Sequence, residues 1–201
     1  LLVLTVADIR AVGPNVWNGW KAALLRELYW ASDEALTGQG EEAGRRRRIE
    51  KAKKALADAL TDWPEEDIEH HLSLGYADYW LAFDLETHVR HARMVRAAEA
   101  EGRELAIESR VDAAREVTEI IVYTSDHPGL FSRITGAMAI SGASIVDARI
   151  ATFSNGMALD VFWIQDEDRK VFDRPDKLAK LSVAIEKALT GRVNLLSALV
   201  K

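Results

Sequence analysis

The sequence predicts an α+β fold: an all-α N-terminal segment, then a β-α-β-β-α unit one strand short of a ferredoxin-like split βαβ arrangement. Three observations carry this. Up to about residue 101 the apolar residues recur at helical spacing, as in Trp17, Trp20, Leu24 and Leu28. After Gly102 the grain changes to strand-like runs, "LAIESRV" and "EVTEIIVYT". The second run enters a short loop with Asp126, Pro128 and Gly129 that opens at once into a helix-period segment.

The first run, "LLVLTVADIRA", reads as a buried helix or helix end stopped by Gly13-Pro14. Asn15 can cap the next helix, and Gly38 is placed to end it. Another helix is expected over about 42–60, closed by "TDWP", and Pro64 followed by Glu65, Glu66 and Asp67 starts a third. "GYADYWLAF" and "DLETHVRHARMVRAAEA" give two more, the last capped by Asp84. The boundary between the two grains is placed near 102–104. Beyond it a helix is expected over about 129–141, with strands at 144–154 and 157–165. Asn155-Gly156 reads as a two-residue hairpin between those strands. The last helix carries Leu178, Leu181, Ile185 and Leu189 on one stripe. Its C-terminal side leaves only "TGRVNLLSALVK", so the missing fourth strand is expected to come from Leu105 to Val111, paired antiparallel with the next strand across "DAAR". Symmetric pairing of two chains is the second way to cover an open edge.

Composition limits the function classes. The 201 residues are 48% hydrophobic with a net charge of −6, which argues against a general nucleic-acid or membrane-surface binder. There is no cysteine, so disulfides and thiolate metal sites are excluded. No stretch approaches a membrane span, and the start lacks a signal-peptide pattern, so a cytoplasmic protein is expected. The chain begins at Leu1 in mid-pattern and reads as a piece of something longer.

The strand-to-helix loop has a chemical use. Pro128 suits a first helical turn, Gly129 lets backbone approach a ligand, and the free N–H groups suit a carboxylate. Asp126 offers an acceptor for an ammonium group, a pairing that fits a free amino acid. The competing reading of Asp126 is a helix cap.

The whole run "VYTSDHPGLFSRITGAMAISGASIVDARIATFSNGMALDVFWIQD" resembles an ACT domain, a small-ligand regulatory module, over about residues 116–190. The resemblance implies a regulatory ligand site made by Asp126, His127, Pro128, Gly129, Leu130 and Phe131 with Ser144 and Asp147 on the next strand, between paired domains. Ser144 stands where many amino-acid-binding members carry Asn; its hydroxyl still hydrogen-bonds. "ARIATFSNGMALDVFWIQD" is more closely similar to the first ACT domain of the PII uridylyltransferase/uridylyl-removing family. "LLVLTVADIRAVGPNVWNGWKAALLRELY" looks like the end of that family's HD hydrolase domain, and "YADYWLAFDLETHVRHARMV" resembles its helical connector.

The resemblance implies a division into an HD-domain end at 1–38, a helical connector at 39–103 and a first ACT domain with its preceding strand at 104–201. It also implies a nitrogen-sensing parent enzyme that acts on the PII signal protein with UTP and a divalent metal (Mg or Mn), with glutamine as effector. Asp8 matches the last Asp of the HD metal set, whose other ligands lie upstream of Leu1. One carboxylate does not hold a divalent ion, so this stretch alone is expected to be inactive and metal-free. The rival is a stand-alone ACT module that acts by protein contact.

Three weaker signals stand beside these. Asp84, His88 and His91 share a helix face and invite a zinc reading; helix histidines are more often solvent-facing, and His70 and His71 point apart, so no zinc site is expected. Arg45 to Arg48 lie among Glu41, Glu42 and Glu50 and read as a solvated face rather than a nucleic-acid contact. Trp17, Trp20, Trp30, Trp63 and Trp80 read as core or covered surface.

Overall fold

The run after Gly40 is rich in Ala, Lys, Arg and Glu and forms helix α1 (Glu41–Ala59), with Glu42–Arg46 and Lys54–Asp58 ion pairs one turn apart on its wet side. The opposite side brings Leu56 into a core, with Leu60 just past the helix end. Three helices follow: α2 (Glu65–Leu74), α3 (Ala77–Ala82) and α4 (Leu85–Ala100). Acidic Glu65, Glu66 and Asp67 occupy the positive end of α2. Asp84 caps α4 as its sequence position requires, accepting the Thr87 N–H at 2.9 Å. Such a cap contributes about 1 kcal/mol. This computed structural model describes residues 41–191 together with residues 4, 5, 25, 28, 29 and 32. The expectations for the rest of 1–38, including Asp8 and Trp17, Trp20 and Trp30, and for the tail after Gly191 lie outside the described residues.

Four strands make one antiparallel sheet: β1 (Leu105–Asp112), β2 (Val117–Ser125), β3 (Ser144–Thr152) and β4 (Met157–Gln165), in the order β1-β2-β4-β3. The strand preceding the ACT-like run therefore completes the sheet: Leu105 to Asp112 pair in register with Thr124 to Val117. Central β2 and β4 are buried along nearly their whole length, because both of their faces are covered.

Alternation along these two strands divides the core. Val117, Ile121, Tyr123, Leu159, Val161 and Trp163 face the α1–α4 helices and pack with Leu56, Trp80, Ala92 and Val95. Ile120, Val122, Ala158, Phe162 and Ile164 face the other way, against helices α5 (Leu130–Ile140) and α6 (Pro175–Leu189) through Ile134, Met138, Leu181 and Ile185. The arrangement is helix layer, sheet, helix pair. No described helix is long and apolar enough to cross a membrane.

Three local expectations are corrected. The 153–157 turn is a three-residue hairpin: Gly156 N–H bonds Phe153 O at 3.0 Å, Phe153 N–H bonds Met157 O at 2.7 Å, and Gly156 takes φ +79°. Glycine at the third loop position converts the expected two-residue turn into a type I turn with a bulge. Three of the four helix histidines are not solvent-facing: His71, His88 and His91 are buried, and His70 is exposed. His88 and His91 pack on Tyr79 and Phe83, whereas His71 lies edge-on to Trp63 and Phe153. Finally, Pro64 and Pro128 each stand just outside the helix they were expected to enter. Trp63 and Trp80 are core residues, as read from the sequence.

Candidate functional site

Strand β2 ends at Ser125, and the next four residues turn the chain into α5. Gly129 is the residue before the helix, and its φ of +86° is a conformation other side chains rarely adopt. Among the described residues a Cβ at this position would meet only Ser132 Oγ, at 3.8 Å, so they leave the space in front of the loop open. The turn is held by Leu130 N–H to His127 O at 3.1 Å and by Ser132 Oγ to Gly129 O at 2.8 Å, and His127 Nδ1 lies 3.1 Å from Pro128 O. Leu130 is buried beneath the helix, while Phe131 is 48% exposed and stacks on Phe162 with ring centres 5.8 Å apart.

Asp126 does not cap α5, since the helix has no side-chain cap. Its Oδ2 instead accepts the Thr152 hydroxyl at 2.8 Å, and its N–H bonds Gly156 O at 3.0 Å. The loop is thus tied to the far end of β3 and to the β3–β4 hairpin. Beside it, on the α5 face of β4, sits Asp160, which is 1% exposed. Neither of its carboxylate oxygens has a hydrogen-bond partner among the described residues. Burial, reinforced by the nearby Asp126 charge, pushes its carboxyl up to about 7.

The sequence-derived site residues do not all converge. Asp126 to Phe131 form one loop, but Ser144 pairs with Gln165 and Asp147 with Trp163, whereas Thr152, at the loop's end of β3, pairs with Ala158. Ser144 therefore sits eight strand residues from Thr152, roughly 25 Å along the strand. Asp147 shares the face of Trp163, opposite to the face of Asp160 and Phe162, and its Oδ1 accepts the Ala148 N–H at 2.9 Å beside a bulge. Within one chain the loop's neighbours are Thr152, Asp160, Gly156 and Phe162 instead. Asp160 was missed by sequence reasoning, although a charge inside the apolar run "MALDVFWIQ" was a usable signal. Asp8 lies outside the described residues.

The hairpin that the loop leans on also touches the helical layer. Ser154 N–H bonds Leu74 O at 3.0 Å, and Asn155 Nδ2 reaches Tyr123 Oη at 3.3 Å and Glu99 Oε1 at 3.4 Å. Glu99 also pairs with His70 at 3.2 Å. Near this contact a cavity of about 280 Å³ is lined by Trp63, His70, His71, Arg96 and Glu99. Arg90 of α4 and Glu119 of β2 form an ion pair between the same two layers. Burial holds His71 down to about 4, helped by the charges of His70 and His88, and it also lowers His88 and His91. Among the described residues no group of three or more His, Asp or Glu side chains is arranged to hold a metal ion.

No protein-family model matches the chain. Curated relatives do. It is 55% identical over 202 residues to a bifunctional uridylyltransferase/uridylyl-removing enzyme of Azospirillum brasilense, covering 100% of this chain and 22% of that protein. Enzymes of the same name from Gluconobacter oxydans and Rhodospirillum rubrum are 49% and 47% identical over 97% and 99% of the chain, and 21% of each is covered. The chain is therefore homologous, over its whole length, to bifunctional uridylyltransferase/uridylyl-removing enzymes, and it spans about a fifth of their length.

Proposed function

We propose that this chain is the regulatory part of a nitrogen-sensing enzyme that uridylylates and deuridylylates the PII signal protein, with the ACT unit binding glutamine. The observation that carries the reading is whole-chain homology to the bifunctional enzymes, joined to a positive-φ glycine loop with open space before it. In this reading residues 1–38 end an HD hydrolase domain, 39–103 connect, and 104–201 sense. UTP and the metal-dependent removal of UMP belong to other parts of a cytoplasmic parent enzyme, with Asp8 joining metal ligands supplied from there. The stretch by itself is catalytically silent.

The spacing of Ser144 and Asp147 from the loop fits a site completed by a second copy, in which the partner's β3 approaches the first chain's loop. Glutamine would act by binding two arrangements of the layers unequally, since a ligand shifts an equilibrium only by its differential affinity. The Phe153–Gly156 hairpin supplies a physical link, because it touches the loop on one side and the ends of α2 and α4 on the other.

Titration calorimetry with glutamine tests the reading. Saturable binding is expected, and Gly129→Val is expected to abolish it through strain at positive φ and a side chain in the approach, with the fold retained. Undiminished affinity in that variant would move the site elsewhere.

A further inference from the structure

The least explained group in the molecule is the Asp160 carboxylate. It lies on a central strand, fully covered, with both oxygens unpartnered among the described residues, and the nearby charged side chain that bears on it is another carboxylate, Asp126. A buried polar group without a partner is destabilising and asks for a reason. The sheet register supplies the surroundings. Asp160 pairs with Ile150 on β3 and Val122 on β2, and two residues along each strand Thr152 and Thr124 flank Ala158 on the same face. Ala158 between them is buried and carries only a methyl group. Asp126 reaches in from the loop above to meet Thr152.

We infer that Asp160 and Asp126, with the Thr152 hydroxyl, form the ammonium-binding half of the site at the Asp126–Phe131 loop, holding the α-amino group of a free amino acid. This assignment rests on the reading of that loop as an amino-acid site. A primary ammonium carries three N–H donors and no acceptor. Two carboxylates and a hydroxyl offer it three acceptors and the opposite charge. A divalent metal is a poorer match, because it needs six or more oxygen ligands and only these three side chains converge from the described residues. The Thr152 hydroxyl donates to Asp126, so Asp126 must swing from Thr152 when the cation enters. Phe131 and Phe162 then wall the side next to the helix end, where the N–H groups of α5 favour the ligand's carboxylate.

The test compares the 201-residue chain with Asp160→Asn by calorimetry, using glutamine and its deamino analogue 4-carbamoylbutanoate. The Asp160 carboxyl carbon is followed by NMR as methylammonium chloride or magnesium chloride is added. Asp160→Asn is expected to weaken glutamine by about tenfold or more, the loss of one charged hydrogen bond, and to change the analogue's binding less than about twofold. Methylammonium, and not magnesium, should shift the Asp160 resonance. Equal glutamine affinity in both proteins overturns the inference and leaves the amino-acid site standing. Equal weakening of glutamine and analogue marks Asp160 as structural and also overturns it. Should no amino acid bind, the inference falls together with the reading it rests on, whatever methylammonium does. A magnesium response in place of methylammonium refutes the ligand class. If the variant does not fold, the methylammonium titration of the unmodified chain decides.

Discussion

His71 is the clearest perturbation for testing how the helical layer is held on the sheet. Its ring is 3% exposed, lies edge-on to Trp63 and Phe153, and has no hydrogen-bond partner for Nε2 among the described residues. Burial holds it neutral down to about pH 4, against 6.5 for a free histidine. The sign follows from proton counting: between 6.5 and 4 the unfolded chain gains a proton that the folded chain refuses, so stability falls as pH drops through that window. At 1.36 kcal/mol per pH unit, the full effect is about 3 kcal/mol, and at pH 5 about 2 kcal/mol is already lost. His71→Phe keeps an aromatic ring against Trp63 and Phe153, and the adjoining cavity of about 280 Å³ gives its extra volume room. Urea unfolding of both proteins at pH 7.5 and 5 measures the difference, and His88, His91 and Asp160, present in both, cancel. The variant should gain about 2 kcal/mol on the unmodified chain as pH falls. Parallel stability profiles would refute the reasoning, because they would mean that His71 meets water or a partner when folded.

The other expectations can be checked on the same chain. Removing Arg90 (Arg90→Ala) leaves the Glu119 carboxylate, with only 9% of its side chain exposed, unpaired between the layers; urea unfolding should show a loss of about 3 kcal/mol or more, partly recovered in Arg90→Met with Glu119→Gln. Asp160 holds a proton up to about pH 7 that an unfolded carboxyl loses near 3.8, so it lowers stability progressively as pH rises across that window, by up to about 4 kcal/mol. Asp160→Asn should flatten that part of the pH profile, and an unchanged slope would show that Asp160 is ionised and solvated. Amide exchange over residues 106–108 of β1 should be slow compared with the 113–115 turn; equal rates would mean that β1 frays from the sheet.

Much of the fold could be read directly because local pattern and tertiary role agree there. Alternation in Leu105 to Val111 and its short link to β2 announced an added strand, and Asp84 before a helical stripe announced a cap; both devices are local. What could not be read depends on partners far along the chain. His88 and His91 look like surface residues on an Arg-rich helix until Tyr79 and Phe83 pack on them, and Phe83 in turn meets Trp163 of β4. Asp160 looks like an ordinary strand residue until the register fixes its face and sets it beside Asp126, 34 positions earlier. The loop's glycine was legible, since a positive φ leaves few other choices, whereas the separation of Ser144 and Asp147 from it required knowing that β3 runs toward the loop and ends there at Thr152.

The proposed glutamine sensing by residues 104–201 puts the ligand at the Asp126–Phe131 loop. It is tested most directly by following the backbone amide NMR signals of the chain as glutamine is added. Saturable shifts are expected at Asp126 to Phe131, accompanied by smaller ones at Ser154 and Asn155, where the hairpin meets the helical layer. Shifts confined to Trp63, His70, His71 and Arg96 would place the ligand in the cavity between α2 and α4, and a spectrum unchanged at millimolar glutamine would contradict the claim outright.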